Sequence, residues 1–169
     1  MDRLSLLVEA KKVSEYLIKH KFIYSQNVKG TWSKAKEAKK SNCSAFVCYC
    51  LQNLGLLKPG QLLYGNSKGG ITYRGTGTKK KILEKYRLIK VRKTPVKYKK
   101  KLKPGDICFF NLHTNIFAGV NAKGQMVWWD AGKKATNSGK DGGTYENIHR
   151  SIDNMNQKIN FILRWKEKK

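Results

Sequence analysis

Between Leu102 and Asp130 the chain alternates short apolar runs with turn-forming residues, and that rhythm restricts its fold more than any other stretch. Pro104-Gly105-Asp106 is a tight turn leading into the apolar run Ile107-Cys108-Phe109-Phe110. His113 follows, then a second run from Ile116 to Val120. Asn121-Ala122-Lys123-Gly124 reads as a hairpin turn, and Met126-Val127-Trp128-Trp129-Asp130 as the returning strand. The pattern predicts an antiparallel sheet. With Ala122-Lys123 as a two-residue loop, His113 pairs with Gly132 and Asn115 with Asp130. His113 and Asp130 are then diagonal neighbours on one face, roughly 7–8 Å apart by backbone. A bulge would shift this register and flip the face. Trp128 and Trp129 point opposite ways, one side chain to the core and one to a cleft.

Upstream, the apolar period changes to that of a helix. From Cys43, the residues Val47, Cys50 and Leu54 recur on one face, flanked by Phe46 and Leu51. This predicts a helix over 41–54, with Ser41 or Asn42 as N-cap, Gly55 as the stop and Pro59 beyond. Cys43 falls in its first turn, on the buried stripe. Cys50 shares the stripe two turns away, roughly 10 Å along the axis and too far for a disulfide. Cys48 points to the other side, and Cys108 reads as a small core residue. No Cys-x-x-Cys pair lies near a histidine, so no zinc site is predicted, and no cofactor is implied.

Free cysteines are mostly structural. A helix start favours the thiolate by typically 0.3–1 kcal/mol, less than one pKa unit, so an activated thiol needs a second positive group. Three histidines are available. His20, in Lys19-His20-Lys21, reads as a solvated helix end, and His149 sits before Arg150 in a polar segment. His113, after the apolar strand, is the candidate partner. Asp130 reads either as the group that orients its imidazole or as a strand-end residue opening the turn into Ala131-Gly132. Cys43, His113 and Asp130 together point to acyl chemistry through a thioester.

These residues resemble the NlpC-type cell-wall endopeptidases, papain-like cysteine peptidases that cut peptidoglycan stem peptides. The family's cysteine-serine-glycine-phenylalanine-valine helix start is similar to Cys43-Ser44-Ala45-Phe46-Val47. Its leucine-lysine-proline-glycine-aspartate block before two aromatics resembles Leu102-Lys103-Pro104-Gly105-Asp106 before Phe109-Phe110. Its histidine, followed by an apolar strand and a glycine, is similar to His113 followed by Ile116-Phe117-Ala118-Gly119. The third polar residue would be Asp130, the oxyanion-stabilising tyrosine Tyr24, and the closing arginine-aromatic strand Ile162-Leu163-Arg164-Trp165. Asn42 stands where the family has aspartate, Ala45 where it has glycine, and Asn115 where a glycine follows the histidine.

The resemblance implies an α+β, papain-like fold, with N-terminal helices packed on a central antiparallel sheet. One domain over 1–169 is expected: a helical lead-in at 1–40, the cysteine helix at 41–54 and the sheet at 102–165. It implies a Cys43-His113-Asp130 amidase of stem peptides. Tyr24 and Ser44 would serve the oxyanion or substrate, with Asn115, Tyr73 and Trp129 lining the substrate. A transferase on the same scaffold is the nearest chemical alternative.

Charge adds a partner. The chain has 36 Lys and Arg against 11 Asp and Glu, a net +25, and such a surplus seeks a polyanion. Only six of these are arginines (Arg3, Arg74, Arg87, Arg92, Arg150 and Arg164), whereas arginine dominates bidentate phosphate and guanine recognition. Anionic wall polymers are therefore favoured over nucleic acid, although a non-catalytic polyanion binder would show the same composition. A monomer is expected.

The N-terminal run, Met1 to Glu9, reads as an amphipathic helix capped by Asp2 and not as a leader, and no apolar stretch reaches membrane-spanning length. Action at a wall would then come through phage lysis, a virion, secretion machinery or a leader absent from this sequence. A first helix is predicted from Arg3 to Lys19 with Leu6, Val13 and Leu17 inward, and a short basic helix from Trp32 to Lys40. Gly65 to Gly77 reads as a mobile loop carrying Tyr73 and Arg74, and Leu88 to Arg92 as an edge strand. The Gly-rich stretch Lys133 to Tyr145 reads as a cleft wall or lid.

Overall fold

A computed structural model describes residues 2–167. The chain opens with α1 (Arg3–Lys19), whose first turn is closed by Asp2. The Asp2 carboxylate accepts from the Leu4 and Ser5 amides at 3.0 Å each, and the Ser5 hydroxyl accepts from the Asp2 amide at 3.2 Å. Leu6, Ala10, Val13 and Leu17 form its buried stripe. Then come β1 (Ile23–Tyr24), α2 (Trp32–Ala38), β2 (Lys40–Ser41) and α3 (Cys43–Asn53). The α2 helix ends two residues before the predicted Lys40, because Lys39 turns left-handed at φ +51° and frees Lys40-Ser41 to pair in parallel with Ile23-Tyr24.

The α3 helix is buried nearly all round, from Cys43 to Leu51, and not amphipathic as its stripe suggested. Helix α1 covers one side and the sheet another. Cys48, on the remaining side, meets the backbone of Leu63, with its Sγ 3.4 Å from both Leu63 N and O. That backbone belongs to β3 (Leu62–Gly65), paired with β4 (Ile71–Arg74) in an antiparallel hairpin. The stretch expected to be a loop from Gly65 to Gly77 therefore contains the end of β3 and all of β4. Its Gly-rich tip hid the strands: the Asn66 side chain accepts from the Lys68 and Gly70 amides at 3.0 Å each and closes the turn.

The rest of the chain supplies α4 (Thr78–Lys85), β5 (Tyr86–Lys93), α5 (Pro95–Tyr98), β6 (Ile107–Phe110), β7 (His113–Val120), β8 (Met126–Trp129), β9 (His149–Ser151) and β10 (Ile159–Trp165). These strands form one six-stranded antiparallel sheet in the order β5-β10-β6-β7-β8-β9. It begins at Tyr86, earlier than the expected Leu102, with β5 as its edge. Strand neighbours alternate between two cores. Ile107 and Phe109 face the helices, while Cys108 and Phe110 join Phe117, Trp128 and Ile162 on the opposite side. The architecture is thus mixed α and β, with N-terminal helices against a large antiparallel sheet.

One buried ion pair closes it. Arg164 on β10 donates from Nε to Asp106 Oδ1 at 2.8 Å and from Nη2 to Oδ2 at 2.6 Å, with Asp106 fully buried. Arg164 Nη2 also donates to the Lys101 carbonyl at 2.7 Å, and Asp106 accepts from the Lys103 amide at 2.9 Å. Gly105 (φ +89°) lets this turn touch α1, since a Cβ there would lie 2.8 Å from the Arg3 carbonyl oxygen. The proline-glycine-aspartate block is structural. No described helix is long and apolar enough to cross a membrane.

Candidate active site

The loop between β7 and β8 is longer than predicted, yet the predicted pairing at the site holds. The Asn121 amide donates to the Gln125 carbonyl at 2.9 Å, leaving three residues between them instead of two. That alone would misplace His113. A bulge at Ala118 then removes one residue from the register, so that Phe117 faces Trp128 and Ile116 faces Trp129. The two departures cancel. Beyond the bulge, His113 and Asp130 come together as the shorter loop implied, and His113 Nε2 lies 3.0 Å from Asp130 Oδ2.

Asp130 is held from several sides. The Gly132 amide donates to its Oδ1 at 2.9 Å, and Asn115 Nδ2 approaches its Oδ2 at 3.4 Å. Burial favours the neutral acid, but the charge and hydrogen bond of His113, then the Gly132 amide and the Arg150 charge, prevail and bring its pKa down to about 2. The converse applies to His113. Burial opposes its protonation, yet the charge and hydrogen bond of Asp130, and then the Cys43 thiol, raise its pKa well above 6.5. The His113 side chain keeps 23% of its surface open, against 5% for Asp130. With Nε2 committed to Asp130, Nδ1 is left for Cys43.

Cys43 is the first residue of α3 and 7% exposed. Asn42, one of the two predicted caps, accepts from the Ala45 amide at 2.9 Å and anchors itself by donating from Nδ2 to the Ser25 carbonyl at 3.2 Å. The Cys43 and Ser44 amides head the helix with no protein acceptor among the described residues. The other three cysteines are fully buried, and all four are free thiols. Burial drives Cys48 up to about 12 and Cys50 and Cys108 well above their ordinary value, which makes them poor nucleophiles.

Tyr24 lies beside this group. Burial, then the electrostatic influence of Cys43, pushes its pKa to about 12, so it remains a hydrogen-bond donor. Gln26 Nε2 donates to its hydroxyl at 3.1 Å. Two more neighbours complete the group. Tyr145, buried, donates its hydroxyl to the Ala131 carbonyl at 2.8 Å. A Cβ at Gly132 would sit 3.2 Å from His113 Cε1 and 3.0 Å from Asp130 Oδ1.

Four expected oxyanion or substrate residues have side-chain partners of their own. The Ser44 hydroxyl donates to Asn42 Oδ1 at 3.1 Å and belongs to the helix cap. Asn115 is fully buried beneath Asp130, where it cannot shape an open cleft. Trp129 is 8% exposed, packs with the core on the helix side and stacks on His149 with ring centroids 4.2 Å apart, while Trp128 is wholly buried in the opposite core. Tyr73 packs on the core from β4 and borders a shallow hollow with Thr78 and Leu83, away from Cys43.

Backbone hydrogen bonds fasten the Gly-rich segment to the strand before α2. The Tyr24 amide donates to Gly143 O at 2.9 Å, the Gly142 amide to Tyr24 O at 2.8 Å and the Tyr145 amide to Phe22 O at 3.0 Å, tying it to β1. Among the described residues no cluster of His, Cys, Asp and Glu is arranged to hold a metal ion. No protein-family model matches the chain, and neither curated proteins nor solved structures yield a relative.

Proposed function

We propose that the chain is a papain-like cysteine amidase of the NlpC type, cutting an amide bond in peptidoglycan stem peptides. One observation carries the chemistry: a cysteine at a helix N-terminus beside an imidazole whose far nitrogen is held 3.0 Å from a buried carboxylate. The substrate class comes from the resemblance of the Cys43 and Pro104–His113 blocks to that family.

His113 Nδ1 takes the Cys43 proton, giving a thiolate and an imidazolium that Asp130 holds by charge and hydrogen bond. The thiolate attacks the scissile carbonyl carbon. The resulting oxyanion is met by the unpartnered Cys43 and Ser44 amides and by the Tyr24 hydroxyl, each such donor being worth roughly 2.7–4 kcal/mol in comparable sites. As the C–N bond breaks, His113 returns the proton to the leaving amine. Water, deprotonated by His113, then cleaves the thioester and restores the free thiol. An amine in place of water would make the same site a transferase.

The test is digestion of purified walls with mass spectrometry of the products. The wild type should release a new amine and a new carboxylate, and Cys43→Ala should release neither. Equal digestion by both proteins would refute the assignment.

A further inference from the structure

The sheet edge opposite the candidate site carries an unbalanced charge that the peptidase reading leaves unused. Residues 79–103 include thirteen Lys and Arg against the single acid Glu84. They follow one continuous path through α4, along β5 and into α5 with the basic turn after it. Ten of the thirteen are exposed. Among the described residues only Lys103 forms a salt bridge, to Glu167 at 3.8 Å.

Lysines on an edge strand ordinarily guard against edge-to-edge pairing, but a few suffice for that. Here the charge continues onto the helices at both ends of β5, where there is no edge to guard. The eight residues of β5 span roughly 26 Å at about 3.3 Å each, long enough for several repeats of a linear polymer. The strip is also separate from the site: β10 and β6 lie between β5 and β7, about 14 Å at strand spacing.

The chemistry of the strip selects among polyanions. Single-stranded nucleic acid is held by exposed aromatic platforms on which bases stack. The strip has none: Tyr86 is 2% exposed, Tyr98 is half-buried, and the exposed apolar residues are Leu88 and Val96. Its arginines are few, and Arg92 is committed, donating to Asn160 Oδ1 at 2.6 Å with its guanidinium 5.1 Å from the Phe161 ring centre. What remains is a row of mobile, hydrated ammonium groups suited to phosphates without fixed geometry.

We propose that the α4–β5–α5 edge binds a flexible linear polyphosphodiester lacking bases, a wall polymer of the poly(glycerol phosphate) type. The wall setting rests on the peptidase reading; binding itself does not, and Cys43→Ala should bind as the wild type does.

Titration of the full chain with soluble poly(glycerol phosphate) at several salt concentrations tests this. One variant changes Lys79, Lys90, Lys93 and Lys97 to Gln; a charge-matched control changes Lys12, Lys34, Lys68 and Lys123 to Gln, and thermal unfolding verifies that both fold. The strip variant should bind at least about tenfold more weakly with a flatter salt slope, and the control should change less than about threefold. Equal losses in the two variants would overturn the proposal in favour of diffuse attraction. So would the absence of binding, or an oligonucleotide of equal phosphate content binding tenfold more tightly.

Discussion

Two buried carboxylates on the same sheet are each paired with a base, and their partners set their work apart. Asp106 meets Arg164, whose charge is permanent, through two hydrogen bonds, and both side chains are at most 9% exposed. Asp130 meets His113, whose charge depends on pH, and that imidazole keeps an open side next to a thiol. The first pair lacks a base that gives up its proton at ordinary pH and lacks access to a substrate; it locks β10 to the turn before β6. The second has both. Burial and a strong ion pair do not by themselves mark a reactive site. A titratable partner with an open side does.

The largest expected effect separates the pairs outright. Cys43→Ala should lower amide hydrolysis by roughly 10⁴-fold or more, as loss of a nucleophile does, and leave thermal stability close to that of the wild type. Arg164→Leu should do the reverse, costing about 3–5 kcal/mol of stability by stranding a buried carboxylate, read by denaturant unfolding. Alkylation of Cys43 in the variant that remains folded should proceed as in the wild type. A loss below about 1 kcal/mol would remove Asp106–Arg164 from its structural role.

Asp130→Asn comes next. It should lower hydrolysis by roughly 10²–10⁴-fold through a misdirected imidazole. In the same variant the His113 ring resonance, followed by NMR, should titrate much closer to 6.5 than in the wild type. An unchanged His113 titration would break the proposed coupling.

The pH dependence of stability is a smaller effect with a definite sign. The raised His113 pKa gives a contribution that is full below about 6.5 and fades as pH climbs through the folded-state value. The lowered Asp130 pKa gives one that is full above about 3.8 and fades as pH falls through about 2. Their shared contribution is therefore greatest between those limits. In Asp130→Asn the dependence on both flanks should flatten, measured as melting temperature against pH.

The smallest expected change is Gly132→Ala. Its Cβ would crowd the His113 ring at 3.2 Å and Asp130 at 3.0 Å. A displacement of a few tenths of an ångström should cost about three- to tenfold in kcat with little change in KM. A loss confined to KM would place Gly132 in substrate binding.

Local chemistry made much of this legible in advance. Asp2 as a cap, the α1 stripe, the α3 start at Asn42-Cys43 and the strands on either side of Asn121 all depend on near neighbours, so short-range pattern sufficed. The His113–Asp130 pairing was anticipated too, but through a loop one residue too short whose error the Ala118 bulge offset. Asn115 reads as a cleft residue in the sequence yet lies fully buried beneath Asp130, because a residue's type does not say which surface another element will cover.

By itself, then, the sequence determined the helices with strong caps, the central hairpin and the nomination of Cys43 and His113, since these follow from period, turn chemistry and side-chain reactivity. Folding in three dimensions settled that α3 is enclosed on nearly every side, that Tyr145 packs beside the site, and that Arg164 neutralises Asp106 across 58 positions of chain. The physical reason is one of range. Hydrogen bonding within a turn is encoded by adjacent residues, whereas burial and ion pairing depend on which distant surfaces the folded chain brings into contact.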